Sequence, residues 1–121
     1  MLLCFAVYKC AVNPTGDRLY IISSRQDKLL TLARDGTLLA TFTDRALEHP
    51  SGLHVTPAGQ VLVCGDWSDT VLQVGWGGES KLATLAKQKD GVWWPQSVCY
   101  SSTTSSIIVG QQDTILVFRV E

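Results

Sequence analysis

The chain has 121 residues, 45% of them hydrophobic and 17% charged, which is enough apolar material for one packed domain and argues against disorder. Ten Lys and Arg stand against eleven Asp and Glu, a formal net charge of -1, so no broad phosphate-binding surface is expected. No apolar run approaches the ~20 residues needed to cross a bilayer.

The opening Met1–Val7 is apolar but lacks a basic start and a small-residue cleavage site, and Tyr8-Lys9 ends it. It reads as a β-strand rather than a targeting segment. Strands are then expected at about Tyr8–Val12, Arg18–Ser23, Lys28–Ala33 and Thr37–Thr43. The turns between them are Asn-Pro-Thr-Gly, Ser-Arg-Gln-Asp and Arg-Asp-Gly, in which Pro sets φ at the corner and Gly supplies a positive φ. A second group follows at Gly52–Val55, Gln60–Cys64, Thr70–Gly75 and Lys81–Lys87, with Gly75-Trp76-Gly77-Gly78 as a hairpin rather than a phosphate loop. A third comprises Ser97–Tyr100, Ser106–Val109 and Thr114–Val120. The β-branched runs Val61-Leu62-Val63 and Ile107-Ile108-Val109, each with Gly within a few residues, exclude a helical reading.

These groups repeat. Val12-Asn13-Pro14-Thr15-Gly16 recurs 43 residues later as Val55-Thr56-Pro57-Ala58-Gly59. Asp27-Lys28-Leu29-Leu30 recurs as Asp69-Thr70-Val71-Leu72 and Asp113-Thr114-Ile115-Leu116, at spacings of 42 and 44. That period is close to the length of a four-stranded propeller blade. The predicted fold is therefore all-β: a partial β-propeller of about three antiparallel blades, near residues 8–43, 50–87 and 95–121. The last blade lacks its outer strand, and residues 1–7 form a strand completing a neighbouring blade. Three blades cannot close a ring. The chain is read as a piece of a longer propeller, with pairing of two copies into six blades as the other arrangement.

The four cysteines, Cys4, Cys10, Cys64 and Cys99, form no Cys-x-x-Cys pair and are expected to be reduced, buried small hydrophobes of a cytoplasmic protein, with a Cys4–Cys10 disulfide as the alternative. Candidates for chemistry are few. His49 and His54 are separated by a Pro-Gly turn, so no helix aligns them, and His54 reads as a strand histidine. Asp66 and Asp69 flank Trp67-Ser68 without the further ligands that calcium needs. The recurring Asp27, Asp69 and Asp113 read as turn stabilisers, each accepting backbone N–H bonds ahead of a strand. No nucleophile–base pair and no metal or cofactor site is expected, so no enzymatic activity is assigned.

The stretch from His49-Pro50-Ser51-Gly52-Leu53-His54-Val55-Thr56-Pro57-Ala58-Gly59 to Asp66 resembles the NHL repeat, with Pro-x-Gly-hydrophobic, a Gly turn and a β-branched strand. Trp94-Pro95-Gln96-Ser97-Val98 resembles the same start with Ser for Gly, and Asp113–Glu121 looks like the closing strand of NHL propellers in animal tripartite-motif proteins. The first repeat departs from it, with Tyr8-Lys9-Cys10 where Pro-x-Gly is expected. The resemblance implies half of a six-bladed ring serving as a docking module, the substrate-recognition part of a ubiquitin-ligase-like protein. The ligase chemistry of that family lies in a zinc-binding RING, whose Cys/His pattern this sequence lacks. In that architecture one face gathers the segments leading into each blade and the loops between second and third strands. Here it would carry His49 and Trp94 from the first set, and Arg25, Gln26, Trp67, Ser68, Gln111 and Gln112 from the second. Trp and Arg are enriched at hot spots, so this rim suits a protein partner. It also suits single-stranded RNA bases, the alternative function. One of Trp93 and Trp94 is expected to pack between blades instead. A gluconolactonase-like metal-dependent hydrolase, the third reading, finds no counterpart for its acidic channel ligands.

Overall fold

The computed structural model describes residues 8–23 and 25–120. Eleven strands among them form three antiparallel sheets. Blade 1 contains β1 (Lys9–Val12), β2 (Arg18–Ser23), β3 (Lys28–Ala33) and β4 (Leu38–Phe42), in that order across the sheet. Blade 2 contains β5 (Pro50–Val55), β6 (Val61–Gly65), β7 (Thr70–Val74) and β8 (Lys81–Ala86). Blade 3 has three strands, β9 (Ser97–Ser101), β10 (Ser106–Gly110) and β11 (Ile115–Arg119). Every strand predicted within the described residues is present, with ends within two residues of those expected. A short 3-10 turn, Gln88–Asp90, leads toward blade 3 and has no counterpart in the sequence reading.

The recurring turns do what their residues dictate. Gly59 sits at φ +87, and its N–H donates to the Thr56 carbonyl at 2.8 Å to close the hairpin between β5 and β6. Gly16 repeats the arrangement in blade 1, its N–H donating to the Asn13 carbonyl. Blade 3, without Pro-x-Gly, bends instead through Ser105 at φ 51.

Two hydrophobic layers lie between the sheets. Tyr20, Ile22, Leu29 and Phe42 on the trailing face of blade 1 meet Val61, Val63, Leu72 and Val74 on the leading face of blade 2. The opposite face of blade 2, with Leu62, Cys64 and Val71, meets Val98, Ile107 and Val109 of blade 3. The two faces of β6 serve different layers, which is why all five of its residues are buried and why it reads as a continuous apolar run. Burying each such side chain stabilises the fold by about 1.5–3 kcal/mol. The sheets touch most closely at their inner strands. A Cβ on Gly52 of β5 would lie 2.8 Å from the Ser97 Cα of β9 and 2.7 Å from Cys64 Sγ, so the glycine of Pro-x-Gly is set by the next blade's backbone.

The cysteine expectation is corrected. Cys64 is buried, but Cys10 and Cys99 are exposed, and these three are free thiols. Cys10 pairs with Ile21 on the leading face of blade 1, and Cys99 with Ile108 on the trailing face of blade 3. Ile21, Leu30 and Leu32 on the face of Cys10 are themselves buried, so on that face exposure is confined to the inner strand β1, whereas the face of Cys99 has no neighbouring sheet among the described residues. Cys4, the proposed Cys4–Cys10 bond and the strand expected at 1–7 lie outside the described residues. No helix among the described residues is long and apolar enough to cross a membrane.

Candidate functional site

The rim is built from the segments that lead into blades 2 and 3. Each is anchored by one buried aliphatic side chain, Leu47 in the first and Val92 in the second. Beyond the anchor, two consecutive backbone N–H groups are held by side chains. Ser68 Oγ accepts from the Glu48 N–H at 3.0 Å, and the equivalent Trp93 N–H donates to Gln111 Oε1 at 2.6 Å. The next N–H is held by the preceding blade: His49 donates to Asp27 Oδ1 and Trp94 to Asp69 Oδ1, both at 2.8 Å. Asp27 and Asp69 are therefore latches between blades, reaching 22 and 25 residues down the chain, rather than stabilisers of their own turns.

The latched residues are strained. His49 has φ 54 and Trp94 φ 48, the left-handed region that costs a non-glycine residue about 1–2 kcal/mol. Proline follows each and disfavours the right-handed helical conformation. The charge-assisted bond to the latch offsets the remaining cost.

Strain is spent on placing aromatic rings. The His49 imidazole stacks on the Trp67 indole, centroids 4.4 Å apart and planes within 7°. His49 Nδ1 lies 2.5 Å from Oδ1 of the buried Asp66, which fixes the ring's orientation. Gln96 Nε2 bridges the Asp66 carboxylate, at 3.5 Å, and the Trp94 carbonyl, at 3.2 Å. Trp67 nonetheless stays 67% exposed and Trp94 62%. Trp93, Trp94, Gln111, Gln112, Asp113 and Thr114 line a shallow depression beside them.

Of the predicted rim residues, His49 and Trp67 are in direct contact, and Trp94, Gln111 and Gln112 share the depression. Arg25 is exposed and Gln26 half-buried, in the loop that ends at the Asp27 latch. Ser68 is corrected from a partner-binding to a fold-holding residue. Its hydroxyl donates to the Ala46 carbonyl at 2.8 Å and accepts from Glu48. Neither tryptophan packs between blades, contrary to expectation: Trp93 is 56% exposed because Val92 already fills that place. Asp66, read as a weak calcium ligand, is the partner of His49. Gln96 carried no signal in the sequence, since its role depends on two segments meeting.

Chemically, the site is an oriented histidine–carboxylate pair flanked by indoles. Among the described residues no hydroxyl or thiol hydrogen-bonds to the His49 ring. No group of three or more His, Cys, Asp and Glu side chains suited to a metal occurs there. His54, half-buried on β5, has its pKa lowered by burial and makes no side-chain hydrogen bond among the described residues.

No protein-family model and no curated protein matches the chain. Among solved structures it is similar to hydrazine synthase of Kuenenia stuttgartiensis, at a TM-score of 0.78 and 19% identity over 93% of this chain. The chain covers 32% of that protein's chain. At this identity the likeness bears on the fold alone, and with the three radially stacked sheets it identifies the chain as an all-β, three-blade arc of a β-propeller.

Proposed function

We propose that the chain is the docking part of an NHL-type propeller of the tripartite-motif kind, a cytoplasmic binding scaffold without enzymatic activity of its own. The observation that carries this reading is the pair of strained, latched aromatic positions at equivalent places in two blades, His49, which stacks on the exposed Trp67, and Trp94, itself exposed. Exposed tryptophans beside amides and a carboxylate have the make-up of a hot spot for a peptide or loop of a partner protein. The near-neutral charge favours protein over nucleic acid.

The test is a pull-down from cytosol with wild type, Trp67→Ala, Trp94→Ala and, as a control on the outer hairpin, Trp76→Ala. Loss of the same partners with the first two variants, and their retention with the third, is the expected result. Partners unchanged by Trp67→Ala and Trp94→Ala would refute the assigned face. A gel shift with single-stranded RNA that weakens steeply with salt would replace the protein partner by RNA, whose bases the same indoles would stack.

A further inference from the structure

The joint between blades 1 and 2 and the joint between blades 2 and 3 are built from matched positions that differ in size. Leu62 stands 42 residues after Tyr20, the spacing of Asp69 from Asp27, and each lies on the face turned to the next blade. Ile22, Leu29, Phe42 and Leu47 of the first joint have Cys64, Val71, Ala86 and Val92 in their places in the second. All five side chains are smaller in the second joint, and both aromatic rings are gone. On the facing side Ile107 stands for Val61 and Phe118 for Val74, which restores only part of the volume. A cavity of about 360 Å³ remains between blades 2 and 3.

The first joint shows what fits there. Tyr20 is fully buried in the cluster that contains Val61, and its hydroxyl donates to the Trp76 carbonyl at 2.6 Å. In the second joint the counterparts of Tyr20, Val61, Val55 and Trp76 are Leu62, Ile107, Tyr100 and Val120, and all four line the cavity. Val120 follows Trp76 by 44 residues, as Asp113 follows Asp69. The place held by a phenol ring in one joint is therefore open in the other. Two amides give the cavity a polar edge. Gln73 Nε2 donates to Gln60 Oε1, which leaves Gln60 Nε2 and Gln73 Oε1 without a side-chain partner among the described residues. The mouth lies between the hairpins carrying the exposed Pro57, Ala58 and Ser102, at the end of β6 opposite the rim. An apolar hollow with a few polar groups at its edge is the make-up of a small-molecule site.

We propose that this cavity binds a small monocyclic phenol. Its ring lies over Leu62 and Ile107, where the Tyr20 ring lies in the first joint, and its hydroxyl donates to the Val120 carbonyl as that of Tyr20 does to the Trp76 carbonyl. This inference is independent of what the rim binds.

An NMR titration of the isotope-labelled chain with p-cresol, the tyrosine side chain in isolation, tests it. Saturable shifts are expected at the amides of Leu62, Tyr100 and Ile107. Toluene, which lacks the hydroxyl, is expected to bind about fivefold more weakly. Leu62→Tyr supplies the ring from within and is expected to abolish binding and raise the melting temperature. Ile107→Phe fills the same space from blade 3 and gives the same readout should Leu62→Tyr not fold. N-acetyltyrosinamide separates the two sources of a phenol: binding tighter than that of p-cresol assigns it to a tyrosine of a partner protein, weaker binding to a free molecule. No saturable shift in the wild type, toluene binding as tightly as p-cresol, or binding unchanged in the filled variants would overturn the proposal.

Discussion

The cysteines separate by environment as far as three chemically identical groups can. Burial pushes the Cys64 thiol up to about 11, whereas Cys10 and Cys99 face solvent. The thiolate is the nucleophile, so iodoacetamide at pH 8 is expected to label Cys10 and Cys99 in the folded chain and Cys64 only after denaturation, as read by peptide mass spectrometry. The same shift links stability to pH. The folded state keeps the Cys64 proton to about pH 11, while the unfolded chain releases it near the usual 9.0, so between those values the unfolded form binds fewer protons. Stability is therefore expected to be fully present below pH 9 and to fall as pH rises toward 11, by at most about 3 kcal/mol. Cys64→Ala should flatten that decline in alkaline urea titrations.

At the scale of elements, the Asp latches decide how one blade is set against the next. Asp69 itself has φ 52, tolerable for Asp and Asn and costly for Ala. Asp69→Asn keeps both the acceptor and the conformation, Asp69→Gly keeps only the conformation, and Asp69→Ala keeps neither. The expected order of urea midpoints is wild type, Asn, Gly, Ala, with the loss of the bond to the Trp94 N–H worth about 1.5–3 kcal/mol. A Gly variant as stable as Asn would mean that the bond contributes nothing. The strands that carry these latches were legible in the sequence, because turn glycines and prolines and β-branched runs act locally. The latches were not: Asp27 and His49, or Asp69 and Trp94, meet only when two sheets stack. The same reason hid the role of Ser68, whose partners Ala46 and Glu48 come from the segment leading into its blade. Exposure of Cys10 and Cys99 was also out of reach, since strand alternation says which face a residue is on and not whether a neighbour covers it.

At the scale of the molecule, the sheets form a short stack in which the middle one is covered on both faces. Blades 1 and 3 each touch blade 2 and communicate mainly through it, apart from the Lys9 Nζ bond to the Gln96 carbonyl at 3.1 Å near the inner strands. Such a stack is stabilised by neighbour terms, so protection against local opening should be graded rather than uniform. The amides of β6 and β7, between two hydrophobic layers, are expected to exchange slowest in hydrogen-exchange mass spectrometry. Those of β11, whose residues alternate between exposed and half-buried and whose outer edge is unpaired among the described residues, should exchange fastest of the strands.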